Sequence, residues 1–192
     1  PASNAEFRLP ETVILEAVTS VETPPVVADN SIWPRIVAGF ALDKKINSRI
    51  QAQINWYVKH PRHMQRVCER ARPFLYDIVE VLEQNNIPLE VALLPVIESA
   101  FQPFSYSSGR AAGLWQFIPG TGKMVGLKQN WWYDGRRDVH MANRGAAKYL
   151  LSVNKMLKED WLHTLAGYNA GPGHVIKAKR HNKKRGVDTD YW

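Results

Sequence analysis

Apolar residues recur at Ile46, Ile50, Ile54 and Val58, which predicts one amphipathic helix from about Asp43 to Lys59, closed by His60-Pro61. A second helical stretch follows over 62–71. Pro73 opens a third, which runs to Gln84 with Phe74, Ile78, Val81 and Leu82 on one broad face and stops at Asn85-Asn86. Between Leu89 and Ala100 the amphipathic pattern gives way to L-E-V-A-L-L-P-V-I-E-S-A, apolar on nearly every side. That pattern predicts a buried, central helix, capped by Asn86, with Pro88 and Glu90 in its first turn and a bend at Pro95. Its last turn carries Glu98.

Further on, Pro103 and the Ser105–Gly109 stretch predict a polar loop passing over that carboxylate, and Gly113–Phe117 a turn lining the same space. Trp131–Gly135 reads as an aromatic loop. Asp138 caps a helix to about Leu157 whose packing stripe is Ala142, Ala146, Leu150 and Val153, and capping accounts for this acid without a catalytic role. Asp160 caps another over Trp161–Ala170, ended by Gly171-Pro172-Gly173, and a basic helix covers about 174–182. No alternating strand pattern intervenes, so the expected fold class is mainly α. Residues 1–31, with Pro10 and Thr23-Pro24-Pro25 and no sustained period, read as a linker or docked arm, and 32–192 as a single helical domain.

Glu98 changes the picture because a carboxylate among apolar neighbours resists ionisation. Such a group can serve as an acid near neutral pH, or it can end a buried helix and pair with a basic or amide partner. Composition adds less. Seven Trp, seven Tyr and six Phe supply ring faces of the kind a sugar-binding groove uses. The net charge of +7 is uneven, since 174–192 holds six Lys or Arg against two Asp. A basic face can draw an acidic polymer, but it does not choose one, and no nucleic-acid recognition module surrounds these residues. The lone Cys68 excludes an internal disulfide and fits a helix core. His60, His63 and Cys68 match no zinc spacing, so no metal and no cofactor are expected. Gly120-Thr121-Gly122-Lys123 lacks the remaining phosphate-loop residues. No apolar run approaches the roughly 20 residues of a membrane span. The chain starts at Pro1 without Met or a signal sequence, as a processed or trimmed chain would, leaving any export signal or anchor outside it.

Three blocks, Glu98-Ser99, Gly113-Leu114-Trp115-Gln116 and Tyr168-Asn169-Ala170-Gly171, resemble in order and spacing the motifs of lytic transglycosylases built on a goose-lysozyme-like domain. The wider wording L-L-P-V-I-E-S-A-F, A-A-G-L-W-Q-F-I-P-G-T-G, Y-D-G-R-R-D-V and T-D-Y-W looks like that of a membrane-bound member. The similarity runs from about Ile32 to Trp192, with Gly167 where the family usually has Ala. It implies a lysozyme-like fold, formally α+β. It also implies cleavage of the bond between N-acetylmuramic acid and N-acetylglucosamine in peptidoglycan strands, without water, leaving a 1,6-anhydromuramyl end.

By the same resemblance Glu98 is the acid and base, and Ser107 and Gln116 contact the muramyl residue. Tyr168 bonds at the reacting centre, Asn169 shapes the subsite, and Trp115, Phe117 and Tyr133 wall the groove. Tyr168 can also be read as a core residue with a satisfied hydroxyl, and Asn169 as a helix-end residue. The resemblance places the protein in the periplasm, tethered to the outer membrane. The usual lipid-anchor signal and LysM repeats do not lie in this chain. A hydrolytic muramidase and a non-catalytic peptidoglycan-binding module are the competing functions.

Overall fold

Helices supply nearly all the regular structure among the described residues 31–192 of the structure, a computed structural model. In chain order they are α1 (Trp33–Ala38), α2 (Ser48–Lys59), α3 (Pro61–Gln84), a 3₁₀ turn (Leu89–Leu93), α4 (Leu94–Glu98), α5 (Pro119–Met124), α6 (Val139–Met156), α7 (Trp161–Ala170) and α8 (Pro172–Lys184). The β part is reduced, among these residues, to isolated bridges at Tyr106–Ala112, Ala112–Phe117 and Gln129–Asp134. The mainly helical class expected from the sequence is therefore what the structure has. The arm expected over 1–31 lies, apart from Ser31, outside the described residues.

Local chemistry sets the starts of the longer helices. Asn47, Asp138 and Asp160 each accept a hydrogen bond from the backbone N–H three residues on, at 3.0 Å, so α2, α6 and α7 begin where a side chain satisfies an otherwise orphaned donor. Pro61 and Pro172 open α3 and α8, where the missing N–H costs nothing.

Helix α3 corrects the expectation of two helices broken at Pro73, because it runs through that residue. Its buried face is Val67, Ala71, Leu75, Ile78 and Leu82, and Pro73 lies on the exposed side, where water can take the carbonyl freed by the ring. This face packs with Ala142, Ala146, Ala147 and Leu150 of α6 in one core cluster that also holds Leu114, Trp115 and Phe117.

The central segment is also different from the single bent helix expected. Pro95 cannot donate to the Val91 carbonyl, so the α-ladder cannot pass through it. Val91 instead accepts from Leu94 in the tighter bond that ends the 3₁₀ turn, and Pro95 stands in the first turn of the separate helix α4. Asn86 does not cap it, having a left-handed φ of 53° in the preceding turn. The segment is not buried on all sides either: Leu89, Val91, Ala92 and Pro95 face the core, but Ile97 is 69% exposed.

Helix α2 departs most. It starts at Ser48 rather than Asp43, and none of its residues is buried. The predicted stripe of Ile46, Ile54 and Val58 remains exposed.

Candidate active site

Glu98 closes α4, and the chain reverses at once behind it. The Pro95 carbonyl accepts from the backbone of Ser99 and Phe101, at 3.1 and 3.2 Å, and from the Ser99 hydroxyl at 3.3 Å. Ala100 and Phe101 take left-handed φ values of 48° and 55°, and burial of the Phe101 ring holds that costly turn. Ser99 also donates to the Leu114 carbonyl at 2.9 Å. The serine after the acid thus fastens α4 to the Gly113–Gln116 block.

Among the described residues the Glu98 carboxylate joins no ion pair and accepts no hydrogen bond. The lack of solvation pushes its pKa above the ordinary carboxylate value, with burial as the cause. The alternative of a helix-end acid neutralised by a basic or amide partner has no such partner among these residues.

Glu98 borders a cavity of about 330 Å³ whose other walls include Gln116, Phe117, Thr121, Tyr149, Tyr168 and Asn169. Tyr168 donates its hydroxyl to the Trp115 carbonyl at 2.6 Å, and its ring lies edge-on to Tyr149 at 5.5 Å. Burial, then the nearby Glu98 charge, keeps this phenol well above its usual pKa, and burial raises that of Tyr149. Both therefore stay neutral donors. Gln116, with φ of 48°, is held through its Nε2, which donates to the Gly113 carbonyl at 2.9 Å. Glu98 also borders a wider, open cleft of about 770 Å³, reached by Gln102 and Ser105 and by residues of α2 and α3.

Glu98, Gln116, Phe117, Tyr168 and Asn169 are thus brought together, but three expected site residues are not. Trp115 is a core residue, 1% exposed, with its indole N–H given to Asn143 at 2.7 Å, so it is no groove wall. Only its carbonyl reaches the site, through Tyr168. Ser107 lines neither space beside Glu98; its hydroxyl accepts from the Ala111 N–H at 3.1 Å and closes its own loop. Tyr133 gives its hydroxyl to Asp138 at 2.8 Å and likewise lines neither. Gln102 and Ser105, not Ser107, line the wider cleft.

Sequence reasoning also missed the clamp behind the cavity. Buried Arg136 grips Asp134 through Nε and Nη2, at 2.9 and 2.7 Å, and donates Nη1 to the carbonyls of Arg110 and Phe117, at 2.7 and 2.9 Å. This arginine holds the Asp134 carboxyl below its usual pKa. Gly113 belongs to the same knot: with φ at 84°, a Cβ there would stand 1.8 Å from the Arg136 carbonyl oxygen. The Y-D-G-R-R-D-V block carried the signal, an Asp and an Arg two residues apart, without showing what they grip. Asn143 left no such signal, since its link from Trp115 to Asp77 joins distant parts of the chain.

A larger cavity, about 1060 Å³, lies elsewhere, between the end of α6, α8 and the residues after it. It is lined by Lys158, Lys179, Arg180 and Lys183, and holds no residue of the three blocks around Glu98, Trp115 and Tyr168. Size does not mark the chemistry here.

Residues 78–190 match the Transglycosylase SLT domain. The chain is 41% identical over 167 residues to membrane-bound lytic murein transglycosylase D of Escherichia coli (strain K12), covering 87% of this chain and 37% of that protein. A protein of Alteromonas sp. (strain M-1) named for tributyltin chloride resistance is 42% identical over 109 residues, 57% of this chain and 53% of its own. Membrane-bound lytic murein transglycosylase F of Vibrio cholerae (strain ATCC 39541) is 30% identical over 109 residues, 53% and 19% of the two chains. The chain thus spans between about a fifth and a half of the length of these relatives. The family match covers more than half of the chain and includes Glu98 and the whole 330 Å³ cavity, so this protein belongs to the SLT transglycosylase family.

Proposed function

We propose that this protein is a peptidoglycan lytic transglycosylase that cleaves the β-1,4 bond between N-acetylmuramic acid and N-acetylglucosamine without water. The observation that carries the reading is Glu98, a half-buried carboxyl with a raised pKa and no counter-charge, placed where two clefts meet. No second carboxylate lines either cleft among the described residues. Glycosidases that rely on a water or an enzyme nucleophile ordinarily need two.

One carboxyl suffices when the sugar attacks itself. Protonated Glu98 gives its proton to the glycosidic oxygen as the bond from that oxygen to muramyl C1 breaks, and the electron pair leaves with N-acetylglucosamine. The C6 hydroxyl oxygen then bonds to C1 and its proton passes to the Glu98 carboxylate, which restores the acid and leaves the 1,6-anhydro ring. The intramolecular attack has already lost most of the entropic barrier of bringing two reactants together. A raised pKa suits both halves of the exchange.

Gln116 and Asn169 hold the muramyl ring in the smaller cavity. Tyr168, fixed by the Trp115 carbonyl, orients it beside Glu98, and Phe117 supplies an apolar wall. Glycan strands of the periplasmic wall are the substrate.

Replacing Glu98 by Gln keeps the shape and removes the proton. Turnover of murein sacculi by Glu98→Gln falls at least about a thousandfold, while pelleting with sacculi persists. Substantial residual turnover contradicts the acid assignment, and loss of both properties together points to a folding defect.

A further inference from the structure

The wider cleft beside Glu98 is walled by a helix that the fold does not need for its core. Helix α2 buries none of its residues, yet Gln53, Trp56 and Tyr57, on one face by their spacing of three and four, line that cleft with His63 from the first turn of α3. The aromatic side chains lock one another. The Trp56 indole stacks on His60 at 4.3 Å and 26° and meets His63 edge-on at 5.4 Å, while the His60 Nδ1 lies 2.6 Å from the Trp56 carbonyl oxygen. Trp56 is 44% exposed. The same cleft is lined by Gln102, Ser105 and residues 96–100.

Aromatic rings next to amide, imidazole and hydroxyl groups, with Glu98 at the edge and no Lys or Arg in the lining, do not suit an anion. They suit a pyranose, whose C–H face lies on an aromatic ring and whose hydroxyl and acetamido groups take the hydrogen bonds. At about 770 Å³ the cleft has room for more than one sugar ring. Gln53, Trp56, Tyr57 and His63 all precede residue 78, where the match to the SLT domain begins, so this wall is supplied by the chain outside that match.

We propose that Gln53, Trp56, Tyr57 and His63 form a saccharide subsite for the sugars on the leaving-group side of the scissile bond, and that it sets the length of glycan the protein acts on. This rests on the transglycosylase reading, in which the smaller cavity takes the muramyl ring. Binding energy gained from sugars remote from the reacting bond serves to align the glycosidic oxygen with Glu98.

Steady-state kinetics on glycan oligosaccharides of increasing length test the subsite. Trp56→Ala should raise KM for long oligosaccharides roughly tenfold, with a smaller effect on the shortest one cleaved, while Trp56→Phe recovers most of the loss. In the Glu98→Gln background, calorimetry should show the same loss of affinity when Trp56 is removed. Unchanged thermal unfolding of Trp56→Ala confirms that the fold is intact. If Trp56→Ala is unstable, Gln53→Ala carries the same test, since that exposed side chain makes no internal hydrogen bond among the described residues. Cleavage that persists with KM, length preference and affinity all unchanged in Trp56→Ala and Gln53→Ala overturns the subsite and leaves the transglycosylase reading standing. A wild-type chain that neither binds nor cleaves any of the oligosaccharides overturns the reading beneath it as well.

Discussion

At the scale of the residue, Glu98 is defined by what it lacks. Its surroundings raise the pKa by withholding solvent, and no cation or donor among the described residues offsets this. The folded state therefore holds the proton more tightly than the unfolded chain does. The stability this contributes is complete below the unfolded pKa of about 4.3, and is lost as pH rises through the higher folded value. Glu98→Gln should accordingly unfold at a higher temperature than wild type at pH 8, with the difference closing near pH 4, as followed by circular dichroism. Over the same range wild-type kcat/KM should fall as Glu98 loses its proton. A Glu98→Gln variant no more stable than wild type at pH 8 would mean that the carboxylate is solvated after all. Much of this was legible in the sequence, since a charge closing an apolar run is conspicuous. Trp115 was not, because aromatic residues beside a motif can face a groove or the core, and its indole N–H found Asn143. The place of Ser107 was not legible either, because its hydroxyl is taken up by the Ala111 N–H in a turn fixed by bonds across the loop.

At the scale of the element, the site depends on how loops are held against the helices. Arg136 satisfies a carboxylate and two carbonyls at once, one of them belonging to Phe117 in the cavity wall. Arg136→Met keeps the apolar stem but leaves those acceptors unpaired, and should cost about 3 kcal/mol in a urea titration, with a fall in turnover as the wall loosens. A loss under about 0.5 kcal/mol, typical of surface changes, would show the clamp to be incidental. Helix boundaries at Asn47, Asp138 and Asp160 carried their signal in the capping side chain. The prolines were ambiguous for a physical reason. A proline ends a helix only where the freed carbonyl has no other partner, and whether Pro73 faces water or core is settled by α3 packing on α6. Apolar spacing in α2 showed amphipathicity but not what, if anything, covers the stripe. The face that lines the cleft adjoins this stripe, with Gln53, Trp56 and Tyr57.

At the scale of the whole molecule, the net charge of +7 has a dense patch on α8, whose last turn carries His181, Lys183 and Lys184. No cation lines the 330 Å³ cavity, so this charge acts on approach rather than in the chemistry. Adsorption to sacculi should weaken as salt rises from about 0.05 to 0.5 M, where screening shortens to a few ångströms, while kcat on short oligosaccharides stays nearly constant. A parallel fall in kcat would place the charge within the catalytic step. The most direct test of the whole account is the mass of the muropeptides released when the protein digests purified murein sacculi. Attack by the C6 hydroxyl predicts products one water lighter than those of hydrolysis, formed by wild type and absent with Glu98→Gln. Products of full hydrolytic mass would contradict it, since they would require an activated water where the C6 hydroxyl should attack.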